Sequence, residues 1–241
     1  MLIDVDSSIP DYTFSINHTD CMKFMRTMEG GTVDLIVTDP PYTIESVKGS
    51  GTFGKRDFFS GLESLSHGIS DKELDEFMRV LKTPNMYLWG NWKQILIYLD
   101  YFKDKHVNTT LLSWHKSNPV PLCSNKYLSD TEYCLYVRGK GVPLYGGYDT
   151  HSTYWITPLN QSDKNKYGHP TIKPLDIIKK LILNSSLEGD VVFDPYLGSG
   201  TTAIAAQELN RSFIGCEIEE KYIEIINKRL SGEHSKLDKW F

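Results

Sequence analysis

Two short segments hold residues whose types and spacing could do chemistry. The first is Val33-Asp-Leu-Ile-Val-Thr-Asp-Pro-Pro-Tyr42, an apolar run that ends in Asp39, Pro40, Pro41 and Tyr42. Consecutive prolines fix φ and remove two N–H donors. The turn therefore displays acceptors, the Asp39 carboxylate and the Pro40 carbonyl, beside an aromatic ring. That set suits an amino group on an aromatic heterocycle, whose lone pair is delocalised into the ring. Two oxygens gripping its two N–H bonds favour a pyramidal nitrogen with the lone pair free to attack, while Tyr42 stacks on the ring. Acceptors placed for developing charge, with the reactants held in line, are the electrostatic and proximity parts of catalysis. Neither requires a metal or a covalent intermediate. A base in a duplex reaches such a pocket only when flipped out, at a cost of roughly a few kcal/mol. The alternative for D-P-P-Y is a tight turn after a strand and nothing more.

The second segment, Val191-Val-Phe-Asp-Pro-Tyr-Leu-Gly-Ser-Gly-Thr-Thr-Ala203, reads as strand, turn and helix start. Gly198 and Gly200 let the backbone pass close to a ligand. Thr201 and Thr202 stand where a helix exposes unsatisfied N–H groups, which favour an anionic group. Glu217 follows Gly198 by 19 residues, at the end of the next apolar run, where an acid commonly binds ribose hydroxyls. The segment also fits G-x-G-x-x-A, a dinucleotide fingerprint. Its position argues against a nicotinamide dehydrogenase, which usually carries this loop first. Here only 38 residues follow Ala203, room for a helix, a strand and a helix. The remaining strands must come from earlier in the chain, as in a permuted doubly wound sheet.

The elements that must position these segments alternate in type, the α/β signature. Strands are predicted at Tyr12–Asn17, Val33–Thr38, Asn85–Trp89, Thr109–Trp114, Tyr133–Val137, Val191–Asp194 and Ser212–Cys216. Helices are predicted at Asp20–Met28, Ser70–Leu81, Trp92–Phe102, Leu175–Asn184, Thr201–Leu209 and Glu219–Leu230, the first two opening on capping residues. Two stretches lack a period: 43–67, rich in Gly and Ser, and 139–168. Loops this long inside a compact domain are often functional.

The 241 residues suit one domain over 1–241, with 40% hydrophobic and 24% charged residues. The net charge of −5 argues against coating nucleic acid by bulk charge. Basic residues nevertheless gather at Lys103, Lys105, Lys116, Lys126, Arg138 and Lys140, and again among the lysines of 161–180. The alternative for these is ordinary solvated lysines. Cys21, Cys123, Cys134 and Cys216 make no C-x-x-C pair and no zinc-ligand spacing, so no metal is expected, and reduced thiols suit the cytoplasm. The N-terminus does not read as a signal peptide. No apolar run approaches the roughly 18 residues that span a membrane.

With these motifs on the page, the chain resembles the amino-group DNA methyltransferases of the β arrangement, in which the catalytic motif precedes the cofactor motif. Asp39-Pro-Pro-Tyr42 looks like the catalytic motif. Phe193-Asp-Pro-Tyr-Leu-Gly-Ser-Gly-Thr-Thr202 looks like the cofactor loop, with Tyr196 where Phe is more usual, and Phe213-Ile-Gly-Cys-Glu217 looks like the following strand. The resemblance implies a Rossmann-like, doubly wound, mostly parallel sheet of seven strands in circularly permuted order, with S-adenosylmethionine as donor. It implies cofactor contacts from Phe193, Asp194, Gly198, Ser199, Gly200, Thr201, Thr202 and Glu217. It adds Asp20 near the cofactor's adenine, and Thr171 and Lys173, from Gly168-His-Pro-Thr-Ile-Lys-Pro174, near its methionine end. Trp114-His-Lys-Ser-Asn-Pro-Val-Pro121 resembles a segment lining the target-base pocket, which implicates Trp114, Lys116, Asn118 and Pro119. Bland alternatives remain for Lys173 (solvated), Asp20 (helix cap), Asn118 and Pro119 (a turn) and Trp114 (core). Candidate target-recognition segments are short, at 119–126, 138–167 and the 43–67 loop, which predicts a homodimer or a short recognition site. A restriction endonuclease partner fits the same resemblance.

In this family D-P-P-Y goes more often with adenine, so the expected activity is methylation of adenine N6 in DNA. The alternatives are N4-cytosine in DNA, an RNA base, a protein glutamine (disfavoured by Asp39 where such enzymes use Asn) and a DNA-binding module that has lost catalysis.

Overall fold

The computed structural model describes residues 12–42, 68–119, 121, 127–159 and 172–231. Eight strands are seen among them: β1 (Phe14–His18), β2 (Leu35–Thr38), β3 (Asn85–Gly90), β4 (Val107–Lys116), β5 (Thr131–Gly139), β6 (Tyr154–Thr157), β7 (Val191–Asp194) and β8 (Ser212–Glu217). The helices are α1 (Cys21–Met25), α2 (Asp71–Val80), α3 (Trp92–Phe102), α4 (Leu175–Ser185), α5 (Thr201–Glu208) and α6 (Glu220–Leu230). The spatial order is β1-β8-β7-β2-β3-β5-β4-β6. All neighbours are parallel except at β5, which runs antiparallel to both β3 and β4.

The centre forms from strands that are apolar on both faces, as a parallel sheet between two helical layers requires. β2 and β3 are buried at every position. Their side chains alternate between layers. Leu35, Val37, Tyr87 and Trp89 pack with Ile177, Ile178 and Leu181 of α4 and Ala203 and Ala206 of α5. Ile36, Met86 and Leu88 pack with Leu74 and Phe77 of α2 and Ile95 and Tyr98 of α3. Ser70 caps α2, and its N–H donates to the Glu73 carboxylate (2.7 Å), a capping arrangement readable from the sequence.

The expectation of seven strands is corrected by β6, which lies parallel to Ser113–Lys116 of β4 at the sheet edge. It escapes a periodicity search because it is four residues long with one neighbour. Trp155 packs against the core, but Tyr154 and Ile156, equally apolar by type, are largely exposed, so no apolar–polar alternation marks it. Of the predicted loops, 43–67 lies outside the described residues, as do 120, 122–126 and 160–171. No helix among the described residues is long and apolar enough to cross a membrane.

β7 and β2 are neighbours, and their connections leave in opposite directions, through α5 to β8 on one side and through α2 to β3 on the other. This is the switch point of a doubly wound sheet, where a crevice opens beyond the strand carboxyl ends. The permutation is visible here: the central glycine-loop strand, β7, is seventh in the chain.

Candidate active site

The crevice is a cavity of about 540 Å³, within the roughly 300–1,000 Å³ of pockets that enclose a small ligand. Both predicted segments line it: Asp39 to Tyr42 from the end of β2, and Asp194, Gly198, Ser199, Thr201 and Thr202 from the turn between β7 and α5. One buried hydrogen bond ties the two loop bases, from Thr38 Oγ1 to Asp194 Oδ1 (2.8 Å). The same Asp194 oxygen accepts from the Tyr196 N–H (3.1 Å). Burial pushes the Asp194 carboxyl up to about 7, against hydrogen bonds from Thr202, Thr38 and Tyr196 that lower it.

At the far end, Glu217 closes β8. Its Oε2 accepts from Gly198 N–H (2.7 Å), and its Oε1 from Ile218 (2.9 Å) and Glu219 (2.8 Å) N–H. A carboxylate has about four lone-pair sites, so one remains for a hydroxyl donor. Burial raises the Glu217 carboxyl above its ordinary value despite those three bonds. Asp20 caps α1, accepting from Lys23 N–H (2.9 Å), and also lines the cavity. Ile178, Leu197, Ile218 and Tyr222 give the cavity apolar walls. One spare carboxylate site beside apolar walls fits a ribose and a purine, so these residues suit an adenosyl group.

Gly198 and Gly200 have φ of +52° and +80°, conformations that side-chain-bearing residues rarely adopt. They differ in task. Gly198 lines the cavity, whereas a Cβ on Gly200 would meet Ile226 Cγ1 at 2.9 Å, so Gly200 lets α6 pack on the start of α5. Phe193 is fully buried in the layer of α1, α2 and α3 and does not line the cavity.

The catalytic end is more charged than the sequence suggests. Tyr42 donates to Asp39 Oδ1 (2.7 Å), and burial, then Asp39 and Glu132, hold its phenol protonated. Lys173 donates to Asp39 Oδ2 and lies 3.0 Å from Glu132 Oε2. Burial works against the Lys173 charge, but Asp39 and Glu132 outweigh it and raise its pKa. Its ammonium also sits 5.1 Å from the Trp89 ring centre and 5.7 Å from that of Tyr42. Gln94, on the first turn of α3, donates to the Pro41 carbonyl (2.9 Å) and so pins the proline turn.

The other predicted residues fall elsewhere. Thr171 is outside the described residues. Trp114 is 1% exposed, donates from Nε1 to Thr157 Oγ1 (2.7 Å), and belongs to the core rather than to the cavity lining. Lys116 pairs with Glu132 (2.8 Å) behind the cavity. Asn118 Oδ1 accepts from Leu159 N–H (2.6 Å), linking its turn to the end of β6, and neither it nor Pro119 lines the cavity. Several mid-chain basic residues are engaged locally: Lys103 with Asp100, Lys105 with Asp75 and Lys179 with Glu208.

Trp89, Glu132, Glu73 and Tyr196 also line the cavity without having been predicted. Tyr196 donates to Glu73, which gives the departure from Phe a partner. Glu132 carries a signal: β5 is buried on both faces from Cys134 to Val137, and Glu132 places a carboxylate two residues before that run.

The sequence and the fold are shared with known proteins. Residues 33–228 match the model of a DNA methylase family. The type II methyltransferase M2.DpnII of Streptococcus pneumoniae is 32% identical over 243 residues, covering 90% of this chain and 89% of that one. The crystal structure of an M1.HpyAVI–SAM complex superposes with a TM-score of 0.68 at 23% identity, over 90% of this chain and 100% of that one. The PvuII DNA methyltransferase, described as cytosine-N4-specific, superposes at 0.60 with 15% identity, over 94% and 97%. With the family model spanning the D-P-P-Y turn, the glycine loop and Glu217, the chain belongs to the DNA methylase family.

Proposed function

We propose that this chain transfers a methyl group from S-adenosylmethionine to the N6 amino group of adenine in DNA. The observation that carries the reading is the shared cavity: the Asp39–Tyr42 turn and the Gly198–Glu217 loop open into one space. When bound, S-adenosylmethionine supplies an electrophilic methyl group. Glu217 holds the ribose through its spare lone pair, and Asp20 with the apolar walls holds the adenine. Phe193 and Gly200 act from behind by shaping the loop. At the other end Asp39 accepts one N–H of the target amino group, the Pro40 carbonyl accepts the second, and Tyr42 stacks on the base. Asp39 is also the acceptor for the proton that the amino group gives up. Lys173 orients Asp39 from this end of the cavity.

Expression in a methylation-free host, followed by mass analysis of the DNA nucleosides, tests the reading. N6-methyladenine is expected, and DNA without any modified base would refute it. N4-methylcytosine would establish the second reading, which the likeness to the cytosine-N4 enzyme favours and which uses the same acceptors. We further propose that 1–241 acts as one domain, with target recognition by 43–67, 119–126 and 138–167. Segments this short favour a homodimer, for which the exposed Trp92, Leu96 and Leu99 stripe of α3 is a candidate face. A restriction endonuclease partner suits relatives named as type II enzymes. The free thiols of Cys21, Cys134 and Cys216 suit the cytoplasm.

A further inference from the structure

Behind Asp39 the structure holds a row of alternating charges. Asp39 is bound by Lys173, Lys173 lies 3.0 Å from Glu132 Oε2, and Glu132 Oε1 is held by Lys116 at 2.8 Å. The row is electrically balanced. Its two ends differ in exposure, with side chains 25% exposed for Asp39 and 12% for Lys116. Burial works against the Glu132 charge, yet Lys173 and then Lys116 outweigh it and hold the carboxyl down at about 2.

An amine being methylated gains positive charge, and the carboxylate that grips it must keep acceptor strength. A lysine ammonium is a compact charge on a flexible stem. Bound to Asp39 alone, it would neutralise that carboxylate and would be free to turn. Shared between two carboxylates on opposite sides, it is fixed in place and only partly compensates Asp39. We propose that Glu132 is a positioning residue for the methyl-transfer step: it draws on Lys173 from behind, which fixes the Asp39 carboxylate and leaves it strong enough to stabilise the cationic amine. Lys116 anchors Glu132 from outside the cavity. The inference rests on the proposed function of the Asp39 turn, and it assigns to this site a carboxylate that acts through Lys173 rather than on the base itself.

The test is a double-mutant cycle in single-turnover kinetics on DNA, with cofactor affinity measured in parallel. Glu132→Gln keeps the shape and removes the charge. Its methyl-transfer rate should fall about ten- to a hundredfold, the range seen when a supporting partner of a site residue is lost, while cofactor affinity stays within twofold. In a Lys173→Met background the same change should alter the rate less than twofold, because its intermediary is gone. Lys116→Gln, remote from the cavity, should lower the rate about three- to tenfold, and it carries the test if Glu132→Gln does not fold. A Glu132→Gln rate within threefold of wild type would overturn the proposal. So would an undiminished effect in the Lys173→Met background, which would mean direct action on the base, or a Lys116→Gln rate equal to wild type. Wild-type protein that methylates nothing would instead sink the reading of the site itself.

Discussion

Replacing Glu217 by Gln removes one acceptor from a carboxylate that is nearly saturated by its own loop. Oε1 takes two backbone N–H groups and Oε2 takes a third, which leaves one of about four lone-pair sites for the ligand. If the glutamine oxygen occupies the Oε1 place, its NH₂ faces the Gly198 N–H and nothing is left to accept from a ribose hydroxyl. The flipped amide strands two donors instead. Losing one hydrogen bond to a charged group costs about 1.5–3 kcal/mol, so the Kd for S-adenosylmethionine should rise roughly 10- to 150-fold at 1.4 kcal/mol per decade. Isothermal titration calorimetry reads this directly. Without ligand, the stranded Gly198 N–H should lower the denaturant midpoint, by about 1–3 kcal/mol of stability. Burial raises the Glu217 carboxyl, so acidification neutralises it sooner than an ordinary glutamate. Wild-type affinity should therefore fall as pH falls, and that of Glu217→Gln should not. A Kd within threefold of wild type at neutral pH would refute the assignment of Glu217 to the ribose.

Asp39→Ala should abolish methyl transfer, by about 10²-fold or more for a lost electrostatic partner, with cofactor affinity nearly intact; near-normal turnover in a radiolabel transfer assay would contradict this. Gly200→Ala combines a φ of +80° with a Cβ 2.9 Å from Ile226 Cγ1, so chemical denaturation should show a loss of about 2–4 kcal/mol, and a smaller loss when the change is made in an Ile226→Ala background, which removes both contacting γ carbons. Asp194 has a folded pKa of about 7, above its unfolded value of about 3.9. Its contribution is fully present below the unfolded value and is lost as pH rises through the folded one. The stability of wild type relative to Asp194→Asn should thus fall between about pH 4 and pH 7, by an amount on the order of 4 kcal/mol, and urea titrations across that range would show it.

Much of this was legible because local chemistry and global position agree. The buried β2 and β3 runs, the Ser70–Glu73 cap and the strand–turn–helix around Gly198 each demand one local conformation, and the late position of the glycine loop fixed the permutation. The shared crevice then followed from where β7 and β2 must end. What could not be read depends on tertiary contact. The resemblance implies Lys173 near the cofactor's methionine end, but its contact with Asp39 requires α4 to pack under β2, and spacing does not encode that. Trp114 belongs to a segment that resembles pocket lining, yet its ring is buried in the core with Nε1 on Thr157 of β6, an edge strand with no periodic signal. Glu132 is found by asking why a carboxylate stands at the start of a strand that is apolar on both faces from Cys134 to Val137.

The most direct measurement is a crystal structure with S-adenosylmethionine and a DNA duplex containing the recognised site. The target adenine should be swung out of the helix, with its amino nitrogen hydrogen-bonded to Asp39 and about 3–3.5 Å from the methyl carbon, in line for attack. An adenine that stays stacked, or whose amino group lies away from Asp39 while the cofactor fills the Gly198–Glu217 end, would contradict the account.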